Sequence, residues 1–398
     1  MIRPMRSRRP ASLLLVLLVL LALVVGACSG PVLANPAADR PVVTPVPSPT
    51  AGPADPQPVE LPRDDGPHDR LTEWWYYTGH LAADDGTRLG FEYVVFRAER
   101  GGFPVSWASH LALTDETGDA FHYAQRAEIG PQVDRSPVGD DGPTGFALSV
   151  AGTDLTGATV PGSTPWTMAG ALGTDRLTAN AQGAEVAGDA IDAFGLDLSL
   201  ASGKVPALHD TDGWIDFGDA GGSYYYSRTA MTASGSVTLG DNNLTVTGDA
   251  WFDHQWGDFI SVGGGGWDWF AVNLDDGTDV TLSLVRAADG TYPLVYGTVV
   301  APDGTTRHLA GEDIVVETGP TWTSPATGAV YPAGWTVRLP TEGLEIVLAP
   351  TVAQQELDTR ATTGVVYWEG SQVVAARRGG TTLGGQAYVE LTGYAPGN

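Results

Sequence analysis

From about residue 67 onward, short runs of β-branched and aromatic residues are cut by Asp-Gly turns, and this punctuation confines the chain to antiparallel β-structure. Thr87–Arg97 (TRLGFEYVVFR), Trp107–Leu113, Asp279–Arg286 and Tyr388–Tyr394 have strand length and strand chemistry. Between such runs lie Asp84-Asp85-Gly86, Asp275-Asp276-Gly277, Ala288-Asp289-Gly290 and Pro302-Asp303-Gly304. Asp and Gly tolerate the positive φ that tight hairpin turns require. No stretch after the N-terminus sustains a helical period. The 52 glycines and 28 prolines fit a turn-rich β-protein rather than a disordered one, because 12 Trp, 13 Tyr and 10 Phe supply core. Many strands at short spacing mean barrels or a sandwich. A chain of 398 residues has material for more than one such core. The expected fold is all-β, with two barrel-like domains packed together at 67–240 and 241–398. The junction is expected near Ala230–Asp249, where Gly235, Gly240, Asp241, Asn242 and Asn243 cluster. One echo points to related halves: Trp74-Trp75-Tyr76-Tyr77 and Trp267-Asp268-Trp269-Phe270 each precede an Asp-Gly turn.

The N-terminus reads as an export signal over residues 1–27. Arg3, Arg6, Arg8 and Arg9 precede an apolar run from Leu13 to Val25, which ends in Gly26-Ala27-Cys28. That run is short for a transmembrane helix. Cys28 is the only cysteine in the chain and stands where a lipoprotein peptidase cuts, so it is the expected lipidation site. The expected location is the extracytoplasmic face of the cell envelope, with membrane contact through the lipid alone. Residues 28–66 are proline-rich and read as a disordered tether. Without disulfides, the folded part depends on its hydrophobic core. Removing the four signal arginines leaves 17 basic against 47 acidic residues, which argues against nucleic acid or an anionic membrane surface as a partner.

The densest chemistry lies in Gly248–Asp258 (GDAWFDHQWGD). Strand alternation puts Phe252, His254 and Trp256 on one face and Trp251, Asp253 and Gln255 on the other. His254 beside Trp256 is either an acid–base group in an aromatic pocket, with Asp253 as its partner, or a core histidine satisfied by backbone. In His68–His80, Glu73, Trp75 and Tyr77 share a face; Glu73 is either a pocket acid or half of a bracing ion pair. His110, flanked on its face by Ala108 and Ala112, has room for a ligand or packs as a strand histidine. His209 falls in a turn-like Leu208-His209-Asp210 stretch. There is no Gly-x-Ser-x-Gly, Walker A, Rossmann glycine pattern, His-Glu-x-x-His or cysteine cluster. Asp210-Thr211-Asp212-Gly213 lacks the further ligands of a calcium loop and reads as a turn. No cofactor and no metal site is expected.

An ordered set of motifs carries a family resemblance. It comprises Thr72–Tyr77, Tyr224-Tyr225-Tyr226-Ser227, Trp251–Gly257, Gly266–Phe270, Tyr331–Trp335, Tyr367–Gly370 and Tyr388–Tyr394. Together they resemble the lipocalin-like family of AttH proteins and carotenoid 1,2-hydratases (CrtC-type), from about His68 to Tyr394. The resemblance implies two lipocalin-like β-barrel domains. It also implies a hydrophobic small-molecule ligand of lipid or isoprenoid type, bound or acted on by hydration or hydrolysis, or merely carried. It brings His254 and Trp256 over as pocket residues; beside it, the residues themselves suggest Trp269, Trp75, Tyr77 and Tyr226 as further walls and Glu73 and His110 as secondary polar groups. The hydratases place Tyr and Asp on a later strand. Here Thr281-Leu282-Ser283-Leu284 has neither, which leaves Asp253 or Asp268 to supply a proton.

Overall fold

The computed structural model describes residues 54–152, 164–260 and 264–396. The expected signal, Cys28 and most of the expected tether lie outside them. Apart from single 3-10 turns, the regular structure described is all strand. No helix among the described residues is long and apolar enough to cross a membrane.

Two large sheets share one plan. The first begins with the meander Thr72–Ala83, Arg88–Ala98, Ser106–Asp115 and Ala120–Ile129. It continues through Phe146–Val150, Trp166–Ala171, Thr174–Gln182, Ala193–Ser202, Gly222–Leu239 and Asn242–Gly257. The last strand returns to pair with the first, setting His254 opposite Trp75 and Trp256 opposite Glu73. The sheet therefore curls into a barrel with one seam, between Ala120–Ile129 and Phe146–Val150. Side chains span that seam. Buried Arg126 reaches the Thr164 carbonyl (2.7 Å) and Glu185 (3.0 Å) and lies 4.4 Å over the Trp166 ring.

The second sheet repeats the arrangement. Gly264–Leu274, Asp279–Ala287, Leu294–Val300 and Thr306–Ala310 form one meander. Val315–Thr318, Trp335–Leu339, Leu344–Pro350, Val366–Arg378 and Thr381–Thr392 form the other, and again first pairs with last, Trp269 opposite Glu390. The two aromatic motifs that echo each other in sequence thus open equivalent strands.

Period-two alternation gives each strand two destinations. In the first sheet Trp75, Tyr77, Phe252, His254 and Trp256 turn into the barrel core. Tyr76, Val94 and Trp251 turn outward and pack with Trp269, Ala271 and Tyr388 of the second sheet.

Two expectations are corrected. The Gly240-Asp241 cluster is a hairpin turn between the two longest strands, not a linker, and the sheet boundary falls after Gly257 rather than at 240/241. Hairpin turns and linkers draw on the same residues, so composition did not separate them. The tether reading also fails at its C-terminal end. Residues 57–66 lie along the first barrel as a strap with a 3-10 turn at Arg63–Asp65, in which Asp64 and Asp65 are buried. This proline-rich segment is held by the partners its aspartates meet and by Val59 and Leu61, which pack against the barrel core.

Candidate active site

Glu73 sits near the start of the strand Thr72–Ala83, next to the closing strand that carries His254. Its side chain is wholly buried, and a buried carboxylate needs partners. It has three. His254 Nε2 lies 3.0 Å from Glu73 Oε1, His68 Nδ1 lies 2.7 Å from the same oxygen, and the His68 backbone N–H donates to Oε2 at 2.9 Å. His68 Nε2 is 3.4 Å from Asp64 Oδ1. The order Asp64–His68–Glu73–His254 is a continuous polar relay from the strap into the barrel.

Aromatic faces fix the rings. Trp256 stacks on His68 at 4.2 Å with a 2° interplanar angle, and Trp75 stacks on His254 at 4.7 Å. Tyr226 meets His254 edge-on at 5.6 Å. Burial opposes charge on His68, but the Glu73 and Asp64 carboxylates outweigh it and raise that imidazole above its ordinary value. Burial likewise opposes charge on Glu73, and His68 overrides it, holding Glu73 below the ordinary carboxylate value. For His254 burial dominates and lowers the value, so the ring is neutral. With Glu73 ionised, its contact with His254 requires the proton on Nε2. Nδ1 is then a bare lone pair, buried and without a hydrogen-bond partner among the described residues.

One turn away lies a second ionic group. Arg228 is buried, with Nη2 2.9 Å from Asp65 Oδ1 and Nη1 3.1 Å from the Tyr226 hydroxyl. Tyr226 donates to the same Asp65 oxygen at 2.5 Å, and Tyr77 donates to Asp175 at 2.8 Å. Burial pushes Asp175 up to about 6.

Of the expected site residues, the structure brings together Glu73, Trp75, Tyr226, His254 and Trp256, with Tyr77 beside them. The others stand elsewhere. Asp253 does not pair with His254. It faces the second sheet, accepts from Tyr225 (2.5 Å), Trp251 (2.6 Å) and Ser227, and burial lifts it to about 6. Alternation already separates adjacent residues on a strand, and Glu73 from the neighbouring strand takes the partner's place. Trp269 donates to the Tyr225 hydroxyl between the sheets (3.0 Å). His110 contacts the Tyr367 hydroxyl (2.8 Å) and Thr362 (3.0 Å), and burial lowers it to about 3. Asp268 is bound by Arg286 (3.0 Å), Tyr292 and Tyr394. His209 stands in the expected turn, and its side chain is fully buried between Ser227 (2.7 Å) and Thr298 (2.9 Å). The residues missed are His68, Asp64, Asp65 and Arg228. His68 opened a motif already singled out. The other three gave no local signal.

His68, Glu73 and His254 also form the metal-ligand group found among the described residues, their donor atoms lying within 4.8 Å of one another. Two imidazoles and a carboxylate suit zinc. Here, however, both rings address one Glu73 oxygen at hydrogen-bond length, and His254 Nδ1 lacks the outer partner that a ligating histidine keeps. The geometry fits proton relay better than metal binding.

Two concavities stand out on the molecule, and neither touches His254. One of about 620 Å³ is lined by Val186, Gly188–Asp192, Gly240 and Asp241. The other, between the sheets near His80, Trp251 and Tyr388, has about 10 Å³, room for one water.

These features define a two-sheet β-meander protein with an ionised relay inside its first barrel. The family model for AttH-like proteins matches residues 52–394, and the chain belongs to that family. It is similar to a solved AttH-type chain from Nitrosomonas europaea, with 29% identity over 87% of this chain and 100% of that one and a TM-score of 0.71. Kievitone hydratase from Nectria haematococca has the same fold at 14% identity, covering 84% of this chain and 93% of that one, TM-score 0.63. So has CghA, at 14% identity over 82% and 90%, TM-score 0.51. No curated protein matches the chain.

Proposed function

We propose that this chain is a hydratase-type enzyme that adds water to, or removes it from, a polarised double bond of a hydrophobic molecule, with His254 as the proton carrier. The observation that carries this reading is the bare Nδ1 of a neutral, buried His254 whose other nitrogen is held by Glu73. A base oriented by a carboxylate among aromatic walls is the arrangement that activates water. Nδ1 takes a proton from water while the water oxygen forms the C–O bond. The π electrons move to the neighbouring carbon, and the imidazolium, stabilised by Glu73, returns the proton there. A neutral imidazole with a bare Nδ1 has no proton there to give an isolated alkene. The site therefore favours a double bond conjugated to a carbonyl. The likeness in fold to a kievitone hydratase supports the class of reaction.

The N-terminal pattern supports the further proposal that the enzyme is exported and anchored through lipid on Cys28. Replacing Cys28 by Ser should release the protein from the membrane fraction. Chemistry is tested by incubating the protein with a panel of hydrophobic enones in ¹⁸O-labelled water. Label should enter the product with wild type and not with His254→Gln. A second reading, a carrier without chemistry, rests on the aromatic faces around His254, which would hold an apolar ligand whether or not it reacts. It is the one to adopt if co-purified ligand is found and no enone takes up label.

A further inference from the structure

The strap residue Asp65 occupies what is, group by group, a receptor for a carboxylate. Its side chain is 0% exposed, although it belongs to a short turn outside the barrel strands. One carboxylate oxygen takes the Tyr226 hydroxyl (2.5 Å) and faces the Arg228 guanidinium (2.9 Å). The other takes the Leu172 backbone N–H (2.8 Å). Leu172 holds φ 52°, a left-handed conformation that a leucine adopts at a cost, in the two-residue turn between Trp166–Ala171 and Thr174–Gln182. The Trp75 indole N–H binds the Asp65 backbone carbonyl (2.9 Å). Guanidinium, phenol and backbone N–H converge on one anion, with the faces of Tyr226 and Phe252 5.2 Å and 5.7 Å from the guanidinium. All but Asp65 itself belong to the barrel.

We propose that Asp65 is an internal placeholder, and that the barrel binds a hydrophobic carboxylic acid whose carboxylate displaces Asp65 from Arg228, Tyr226 and the Leu172 N–H. The apolar body then lies against Phe252, Trp75 and Phe146, where the strap no longer closes the barrel. This deepens the proposed function by giving its substrate an anionic anchor beside His254, and it rests on that reading only for what happens after binding. It also accounts for a filled barrel: the space against His254 opens when the strap, and with it His68, moves out. Arg228 Nη2 is buried and makes no hydrogen bond among the described residues, so it has donor capacity that an incoming carboxylate could take up.

The test is binding of dansyl-undecanoic acid to the purified protein, compared with its methyl ester. An attached competitor acts at an effective concentration in the millimolar range, so Asp65→Ala should tighten binding of the acid about tenfold or more. The ester should bind no better to Asp65→Ala than to wild type. Arg228→Met placed on Asp65→Ala should abolish binding of the acid, whereas His254→Gln placed on it should not, which separates failure of the chemistry from failure of the anchor. On wild type, excess acid should speed tryptic cleavage after Arg63 as the strap leaves, and the ester should not. The proposal is overturned if Asp65→Ala binds acid no more tightly than wild type, or if acid and ester bind it equally. Should Asp65→Ala not fold, the wild-type arm decides, and an unchanged cleavage rate at Arg63 overturns it.

Discussion

The first barrel and the second sheet, a half-barrel, share a connection plan and differ in what they bury. Inside the first stand Asp65, Glu73, Arg228 and His254, all at most 2% exposed. Inside the second the space is filled by Phe270, Val272, Leu282, Trp335, Leu348 and Trp368. Its paired acid, Asp268, is held by Arg286 and Tyr394. The lesson is that topology does not confer chemistry; substitutions on a repeated frame do. The first barrel sets among its apolar side chains a group of ionised residues that cost stability and can serve function. The second is filled by apolar side chains that contribute stability.

The sharpest way to break this contrast is at His254. His254→Gln should lower any hydration rate by about 10²–10⁴-fold, the range for loss of a positioned general base. Unchanged turnover with a large drop in thermal midpoint would make His254 a core residue and erase the distinction between the two sheets. Next in size, Glu73→Leu leaves charged His68 without its main counter-ion and should cost about 3–5 kcal/mol at neutral pH by denaturant unfolding. Leu282→Ala in the second sheet should cost a comparable 2–5 kcal/mol or so, through a cavity instead. Only the first cost should vary with pH. Glu73 is held low, so its contribution is present above the ordinary carboxylate range and lost as pH falls through its lowered value. His68 is held high, so its contribution is present below the ordinary histidine range and lost as pH rises through its raised value. A Leu282→Ala cost that followed pH in the same way would contradict the assignment.

The space between the sheets offers a third test. Tyr76 donates to Glu369 (2.7 Å) and Tyr367 to Glu92 (2.9 Å), and neither acid has a basic partner among its hydrogen bonds. Burial raises Glu92 to about 8, and burial with nearby carboxylates raises Glu369 well above its usual range. Acids raised in the folded state hold protons there, so stability is greatest at low pH and falls as pH climbs from the ordinary carboxyl value toward 8. Glu92→Gln with Glu369→Gln should flatten that fall, seen as thermal midpoints at pH 5 and pH 8 that lie closer together than in wild type. The smallest expected effect separates two buried tryptophans. Trp75 Nε1 binds the Asp65 carbonyl, whereas Trp335 Nε1 has no partner among the described residues. Trp75→Phe should therefore cost about 1 kcal/mol more than Trp335→Phe. Equal costs would show the strap contact to be energetically idle.

Much of this molecule was fixed locally. Alternating side chains and Asp-Gly turns determined that the chain is β-structure, and which face of each strand is which, because these are properties of adjacent residues. By the same rule Phe252, His254 and Trp256 were bound to face one way and Asp253 the other. Local pattern is silent about which strand lies alongside. Glu73 becomes the partner of His254 only because the first strand pairs with the last, across 181 residues. Asp65 and Arg228 become a pair only when a proline-rich segment, unreadable as structure, finds a buried guanidinium 163 residues on, at 2.9 Å. Gly240-Asp241 was legible as a turn but not as a hairpin inside a sheet, since the same residues serve both a tight turn and a linker. The sequence determined the material and its faces. Only the closed barrel decided which charges meet, because burial and distance, not order along the chain, set what a buried charge requires.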